Sequence, residues 1–442
     1  MKRKIAAVVA LLACAGSAAH GETIALTGGT VHTASGPTIE NGTVVMSDGR
    51  ITAVGANLAV PAGAREVAIA GKHVWPGIVS PNTVVGLVEI RSVQGTRDES
   101  EAGSLNPNVR AEAMFNPGSD HIPVARINGI TTVHVMPGGS VMSGTGALMH
   151  MDGWTWEDMT VRAPTGLIVR WPNMTPVAGG FQRRSDEEQN RARDRALEEI
   201  YGAFDDARAY WKAREAEGAR GIPRHDRDVR WNAMKQVLAG EIPVFLVAQR
   251  LNQIRAALDF AEEQGLTNVV LVGGADSWRI AGELARRDIA VICDRIFDHP
   301  LRNDEPYDMP YTLPAKLEAA GVRFCISDGA GSSGDAFNPM NTRNLPYEAG
   351  MAHAFGLARD EAVRAITLYP AQILGAGDRL GSIEEGKIAD LIVTDGDLLE
   401  ITTQVEQVYI GGRPIPMENR QTRLFEKYDA RPKGESARAR RD

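Results

Sequence analysis

Hydrophobic and polar positions divide the chain into three stretches of different rhythm. From Glu22 to Lys72 the apolar runs are short: Thr23–Thr27, Gly42–Ser47, Arg50–Val54 and Glu66–Ala70. Turn signals part them at Gly28-Gly29, Asn41-Gly42, Asp48-Gly49 and Pro61-Ala62-Gly63. Runs of this length punctuated this way predict β-strands, and Asp48-Gly49 predicts a hairpin. Alone they make a thin sheet with little core, so further strands are expected to complete it. The far end supplies such runs at Ala389–Thr394 and Gln404–Ile410, followed by the Gly411-Gly412 turn.

Between these ends, strand-like and helical patterns alternate. Strands are predicted at Val74–Val79, Gly129–Met136, Gly146–Met151, Gly166–Trp171, Ile242–Val247, Asn268–Val272, Ile289–Cys293 and Val322–Ile326. Helices are predicted over Asp186–Glu217, where Leu197, Ile200, Tyr201, Phe204 and Trp211 share one face. Two more are predicted over Leu251–Gln264, closed by Gly265, and over Ser277–Arg287 with Ser277 as N-cap. Repeated strand–helix units imply a parallel sheet, open or closed into a barrel; periodicity does not choose between them.

Two motifs go further. Gly71-Lys72-His73-Val74-Trp75-Pro76-Gly77-Ile78-Val79-Ser80-Pro81-Asn82-Thr83-Val84 is an apolar run with an abrupt polar end, in which Pro76-Gly77 suits an entry kink or bulge. Ala365-Ile-Thr-Leu-Tyr-Pro-Ala-Gln-Ile-Leu-Gly is followed by Asp378-Arg-Leu-Gly-Ser-Ile-Glu-Glu-Gly-Lys-Ile-Ala-Asp-Leu-Ile-Val. The second resembles the amidohydrolase superfamily pattern T-x-N-P-A-x-x-L-G... G-S-L-x-x-G-K-x-A-D-L-V-V, with Tyr369 in place of Asn. The first resembles that superfamily's opening barrel strand, P-G-L-I-D-x-H-x-H. The resemblance runs to about Pro416 and is nearest to secreted, imidazolonepropionase-like amidohydrolases. It implies an α/β fold, a (β/α)8 TIM-like barrel with a discontinuous small β domain. The boundaries expected are 1–21 for a signal peptide, 22–75 with 383–416 for the small domain, 76–382 for the barrel, and 417–442 for a polar tail.

The resemblance also implies a hydrolytic metal, and here the residues depart from it. Ser80 stands where the Asp would be, and Asn82 and Val84 where the two histidines would be. Ile242–Ile254 resembles a segment carrying another metal-binding His, and Val247 occupies its place. Asn268–Ala275 resembles the next, with Gly273 in that place. The final strand should end in Asp, and Asp328 follows Val322–Ser327, one residue early. A metal that lowers the pKa of water needs imidazole or carboxylate ligands, and four positions are lost together.

Other histidines could rebuild a site only by convergence. His134 and His150 lie in strand-like runs, where the plainer reading is a hydrogen-bonded core His. His73 is expected to face the small domain, and His121, His225, His299 and His353 show no ligand spacing. No H-x-H, H-E-x-x-H, C-x-x-C or G-x-S-x-G occurs, and the Gly-rich Gly138–Gly146 stretch, with Ser140 and Ser143, lacks a P-loop lysine. The polar loop Arg91–Asp120 is a site candidate or ordinary surface. The loop Asp328–Asp335 is the other candidate, with Asp328 as the catalytic residue and no metal site assigned.

Composition adds limits. Hydrophobic residues make up 43% and charged residues 24% of 442 residues, as in globular proteins. The net charge of −8 disfavours nucleic acid or an anionic membrane as partner. Lys2-Arg3-Lys4, the apolar Ile5–Ala13 and Ala19-His20-Gly21 read as an export signal, predicting a periplasmic or secreted protein; Leu11-Leu12-Ala13 before Cys14 is a lipoprotein alternative. Cys293 and Cys325 could pair in that compartment or stay as buried thiols. The tail after Arg423 reads as disordered.

Two functions follow. The first is a superfamily barrel without the metal centre, a pseudoenzyme with no cofactor. It would bind a small molecule or a partner, such as an active amidohydrolase paralogue or a second copy. The alternative is a hydrolase of non-peptide C–N bonds in cyclic amides or peptide-like compounds, using a displaced zinc or none.

Overall fold

The computed structural model describes residues 22–139, 141–177, 184–217, 226–329 and 338–431. The expected signal segment 1–21, Ser140, His225 and most of the Asp328–Asp335 loop lie outside them.

The strands are β1 (Ile24–Val31), β2 (Ile39–Ser47), β3 (Arg50–Ala56), β4 (Arg65–Ala68), β5 (His73–Pro76) and β6 (Ile78–Thr83). Next come β7 (Ile130–Val135), β8 (Met142–Thr145), β9 (Ala147–His150), β10 (Thr160–Arg162), β11 (Leu167–Arg170) and β12 (Val244–Ala248). The last are β13 (Val269–Gly273), β14 (Ala290–Cys293), β15 (Phe324–Ile326), β16 (Leu391–Thr394), β17 (Val405–Ile410) and β18 (Arg413–Pro414).

An eight-stranded sheet runs β18-β17-β16-β5-β1-β2-β3, with β4 paired to β1. It joins the two ends of the chain: β16 pairs β5 antiparallel, Ile392 opposite Trp75. The Trp75 indole N–H donates to Thr394 Oγ1 at 2.8 Å. The His32 ring lies flat against the same indole, centroids 3.6 Å apart, and Arg359 caps it at 5.1 Å.

The predicted single strand Val74–Val79 is two strands in different sheets, parted at Gly77. Its N–H is drawn to Asp390 O at 2.8 Å, and a Cβ there would meet Thr131 Cγ2 at 2.6 Å. Only glycine fits this crossing from one sheet to the next.

The middle forms two sheets, β10-β9-β7-β6 and β15-β14-β13-β12-β11-β8. Strands β11 to β15 are parallel in sequence order. Phe245 and Val247, Val270 and Val272, Ile292 and Cys325 pack in one cluster with Val79, Leu148 and Ile168. The intervening Leu246, Leu271 and Val291 join a second cluster. Both faces are therefore apolar, as continuous hydrophobic strand runs require. Edges β6 and β15 approach one another across a shared segment: Val79 N–H donates to Ile366 O at 2.9 Å and Ile326 N–H to Ala365 O at 3.0 Å.

Helix Asp186–Ala216 matches its predicted span and starts with a reciprocal cap between Ser185 and Glu188. Its face of Ile200, Ala203, Phe204 and Ala207 is buried. Ser277 is not an N-cap: Ser277–Ile280 is a 3-10 turn leading into Ala281–Arg286. The described start of the tail also departs from expectation, and residues 432–442 lie outside the described residues. Asn419 accepts from Thr422 N–H at 2.9 Å and opens a helix over Arg420–Asp429, so a side-chain cap overrides a polar composition that suggested disorder.

Cys293 and Cys325 are free. Cys325 pairs with Ile292 across β14 and β15, and the two thiols enter different core clusters. A one-residue offset puts them on opposite faces, which precludes a bond. No helix among the described residues is long and apolar enough to cross a membrane.

Candidate functional site

The polar residues that end β6, β11, β12, β14 and β15 converge. Asp328, the candidate catalytic residue, is wholly buried beyond β15. Ser80 Oγ donates to its Oδ1 at 2.7 Å, and Thr342 Oγ1 donates to its Oδ2 at 2.7 Å. Thr83 Oγ1 lies 2.8 Å from Thr342 Oγ1 and extends the chain of hydroxyls. Burial pushes the Asp328 carboxyl up to about 6, against the pull of the two hydroxyls.

Asp294 follows β14. Its Oδ2 accepts from Gln249 Nε2 at 2.7 Å, while its buried Oδ1 has no partner among the described residues. Burial raises this carboxyl to about 6 as well. Glu348, also buried, accepts Ile296 N–H at 2.6 Å and is pushed well above the usual carboxylate range, first by burial and then by the charge of Asp328. Arg170, at the end of β11, is lowered by burial and held up by the charges of Asp294 and Glu99. Glu99 reaches inward from the Arg91–Asp120 loop, neutralised by Arg91 and Arg97, each at 2.7 Å. That loop thus contributes both to the site and to surface.

The other candidates are dispersed. Asn82 is 1% exposed and its Oδ1 is unpartnered among the described residues. Val84 belongs to the outer core and Val247 to the inner one. His134 is buried between Pro81 O at 2.8 Å and Thr165 Oγ1 at 2.6 Å, and burial drops its pKa to about 4. His150 turns instead to Asp390 at 3.0 Å, so the two histidines share no ligand. His73 lies 3.0 Å from His32 in the eight-stranded sheet. His121 and His353 hold backbone carbonyls.

Gly273 is the most informative of these positions. It sits at φ +96°, and a Cβ there would come within 2.7 Å of Gln249 Cδ. The Gln249 amide fills the space a side chain at 273 would need, and Ala275 N–H fixes its Oε1 at 3.2 Å. Zinc takes imidazole, thiolate or carboxylate donors in a tetrahedral set. Asn82, Val84, Val247 and Gly273 provide none. Asp328 has both oxygens engaged by hydroxyls. No group of three or more His, Cys, Asp and Glu among the described residues is placed to hold an ion. Among the described residues, this donor set does not fit the metal.

Sequence reasoning missed Gln249, Asp294, Glu348 and Thr342. Gln249 and Asp294 had a signal: each is the first polar residue after an apolar strand run. Glu348 and Thr342 had none, since long-range folding brings them in.

Beside this centre is a cavity of about 190 Å³ lined by Gln249, Asp294, Arg295, Leu301, Met309 and Leu313, among others.

The amidohydrolase family model matches residues 311–415. An imidazolonepropionase of Acidiphilium cryptum is 25% identical over 415 residues, covering 86% of this chain and 92% of that protein. The amidohydrolase tasK of Hapsidospora irregularis is 23% identical over 371 residues, 77% of this chain; the match spans only 36% of that relative's length. Among solved structures, an amidohydrolase of Thermotoga maritima superposes with a TM-score of 0.76 at 25% identity, covering 89% of this chain and 99% of that one. With the Gly381–Val393 motif inside the matched region and the same α/β architecture along most of its length, the chain belongs to the amidohydrolase superfamily.

Proposed function

We propose that this protein is a metal-free member of its superfamily, a pseudoenzyme that binds a small molecule at the polar centre around Asp328 and Asp294. One observation carries the reading: the Gln249 amide stands in the space that a side chain at Gly273 would need. The position is filled rather than merely vacated, so no ligand can be restored there without moving Gln249. The commitment of both Asp328 oxygens to Ser80 and Thr342 supports the same reading.

In this proposal β6 to β15 close as a (β/α)8 barrel, supported by the backbone bonds of Val79 and Ile326 to the 365–366 segment. The eight-stranded sheet then forms the small domain at 22–75 and 383–416. The basic and apolar run at the N-terminus supports export to the periplasm or beyond, and an active paralogue or a second copy is a candidate partner.

A second reading has one observation in its favour. Asp328 and Asp294 both titrate near 6, which suits acid–base work near neutrality. A hydrolase of cyclic amides or other non-peptide C–N bonds would use Asp328 as base, with its hydroxyl partners orienting it. Turnover of a panel of cyclic amides and N-acyl amino acids, with zinc and with chelator, separates the two. The binding reading expects rates at the buffer background in both conditions. Hydrolysis that Asp328→Asn abolishes would overturn it.

A further inference from the structure

We propose that the protein carries a second binding site, for a small organic anion with a carboxylate on a flat apolar body, in a cavity of about 600 Å³ between Arg110, Trp211, Arg227 and Lys235. This site is distinct from the one in the binding reading above and does not depend on it.

The cavity lies at the other end of the strands from the polar centre. Thr145, in its wall, pairs with Leu167, the first residue of β11. Arg170, the last residue of β11, feels the charges of Asp294 and Glu99 at the centre. The rise along the strand parts the two levels by about 10 Å.

The charges in the wall do not balance. Three cations line it, Arg110, Arg227 and Lys235, against one carboxylate, Glu112. Arg110 takes that carboxylate at 2.7 Å. Asp228, next to Arg227, is taken by Arg230 at 2.9 Å. Among the described residues neither Arg227 nor Lys235 has an ion-pair partner. Residues 218–225, which lie outside them, contain no Asp or Glu. Both cations therefore keep their charge for a ligand. Both are also exposed, so an anion reaches them directly from solvent.

The wall sets the position of that charge and the body of the ligand. Lys235 Nζ lies over the Trp211 ring, 4.8 Å from its centroid. The Trp211 indole N–H donates to Trp231 O at 2.8 Å, which fixes the ring. The ammonium is thus kept at the cavity edge. Pro107, Pro164 and Val229 add apolar wall, and Val229 is 62% exposed, leaving apolar surface for a ligand to cover. A concave wall of low polarity focuses the field of the cations that line it, which a convex surface does not. The guanidinium fork of Arg227 suits a carboxylate. A neutral molecule would gain only the apolar contact, and a cation would meet Arg227 and Lys235 directly.

2-Naphthoate, 2-naphthamide and 2-naphthamidine share one shape and differ in charge, and calorimetric titration at low salt and about pH 7.5 compares them. The acid should bind about fivefold tighter than the amide, and the amidine more weakly than either. About 0.5 M sodium chloride should remove most of that advantage. Arg227→Gln with Lys235→Gln should bring the acid down to the amide's affinity. Arg255→Gln with Arg286→Gln, which lowers the net charge equally on other exposed positions, should leave the advantage in place. Equal binding of acid and amide by the wild type overturns the proposal, as does binding of neither. An Arg227→Gln, Lys235→Gln protein that keeps the acid's advantage also overturns it, as does an equal loss in the control pair. If the first pair does not fold, Lys235→Gln alone decides, and it should lose about half of the advantage on a logarithmic scale. The titrations run with chelator present, so a metal found in the purified protein would sink the metal-free reading without touching this result.

Discussion

Replacing Asp328 by Asn removes one buried charge and little else. Burial lifts this carboxyl from 3.8 to about 6 in the folded chain. A shift of about two units is worth roughly 3 kcal/mol between the protonation states. The sign follows from linkage. The folded state holds this proton more tightly than the unfolded chain. The stability it contributes is full below about 3.8 and is lost as pH rises through about 6. Asparagine does not ionise, so the variant should lack this part of the decline. It must still replace two accepted hydroxyl bonds, and turning one of them around costs about 1 kcal/mol. At about pH 8 the variant should therefore be more stable than the wild type by about 1–3 kcal/mol. Near pH 4 it should be level or slightly weaker. Urea midpoints of both proteins across this range, read by tryptophan fluorescence, measure the difference. A variant that is less stable than the wild type at high pH, increasingly so as pH rises, would refute the reasoning. That result means the ionised carboxylate is favoured in the fold, as it is beside a divalent cation.

Gly273→Ala should destabilise by about 1–3 kcal/mol in thermal or urea unfolding, because a Cβ meets the Gln249 amide and the backbone sits at φ +96°. A neutral result would show that Gln249 moves aside readily and would weaken the argument that position 273 is closed. Thr394→Val should cost about 1–3 kcal/mol by leaving the buried Trp75 N–H without its acceptor, while the shape is kept. Cys293 and Cys325 should resist thiol reagents in the native protein and react on unfolding, since burial raises both pKa values.

Much of the strand and helix pattern was legible because both faces of the inner strands are apolar. Runs such as Ile289–Cys293 and Val322–Ile326 could hardly be anything else. The helix over Asp186–Ala216 announced itself by one apolar face, while its Ser185–Glu188 cap emerged only in the structure. Pro76-Gly77 marked a kink or bulge, but that it is a crossing between two sheets was not legible, since this depends on Thr131 and Asp390, far away in sequence. The tail helix was missed because composition outweighed a local cap at Asn419.

The candidate site was half legible. Asp328 stood out as the polar end of a strand, and the structure puts it at the centre. What surrounds it was hidden: Thr342 lies 14 positions on, and Ser80 lies 248 positions back. That Asn82, Val84, Val247 and Gly273 stand where the resemblance expects histidines was readable in the sequence. That Gln249 occupies the room at Gly273 is a packing fact, available only once strands β12 and β13 lie side by side.

The most direct measurement is the metal content of the protein purified without chelator, by mass spectrometry, for wild type and Asp328→Asn. We expect clearly less than one transition metal per chain, with little change in the variant. A stoichiometric metal that Asp328→Asn or a change at His134 removes would contradict it.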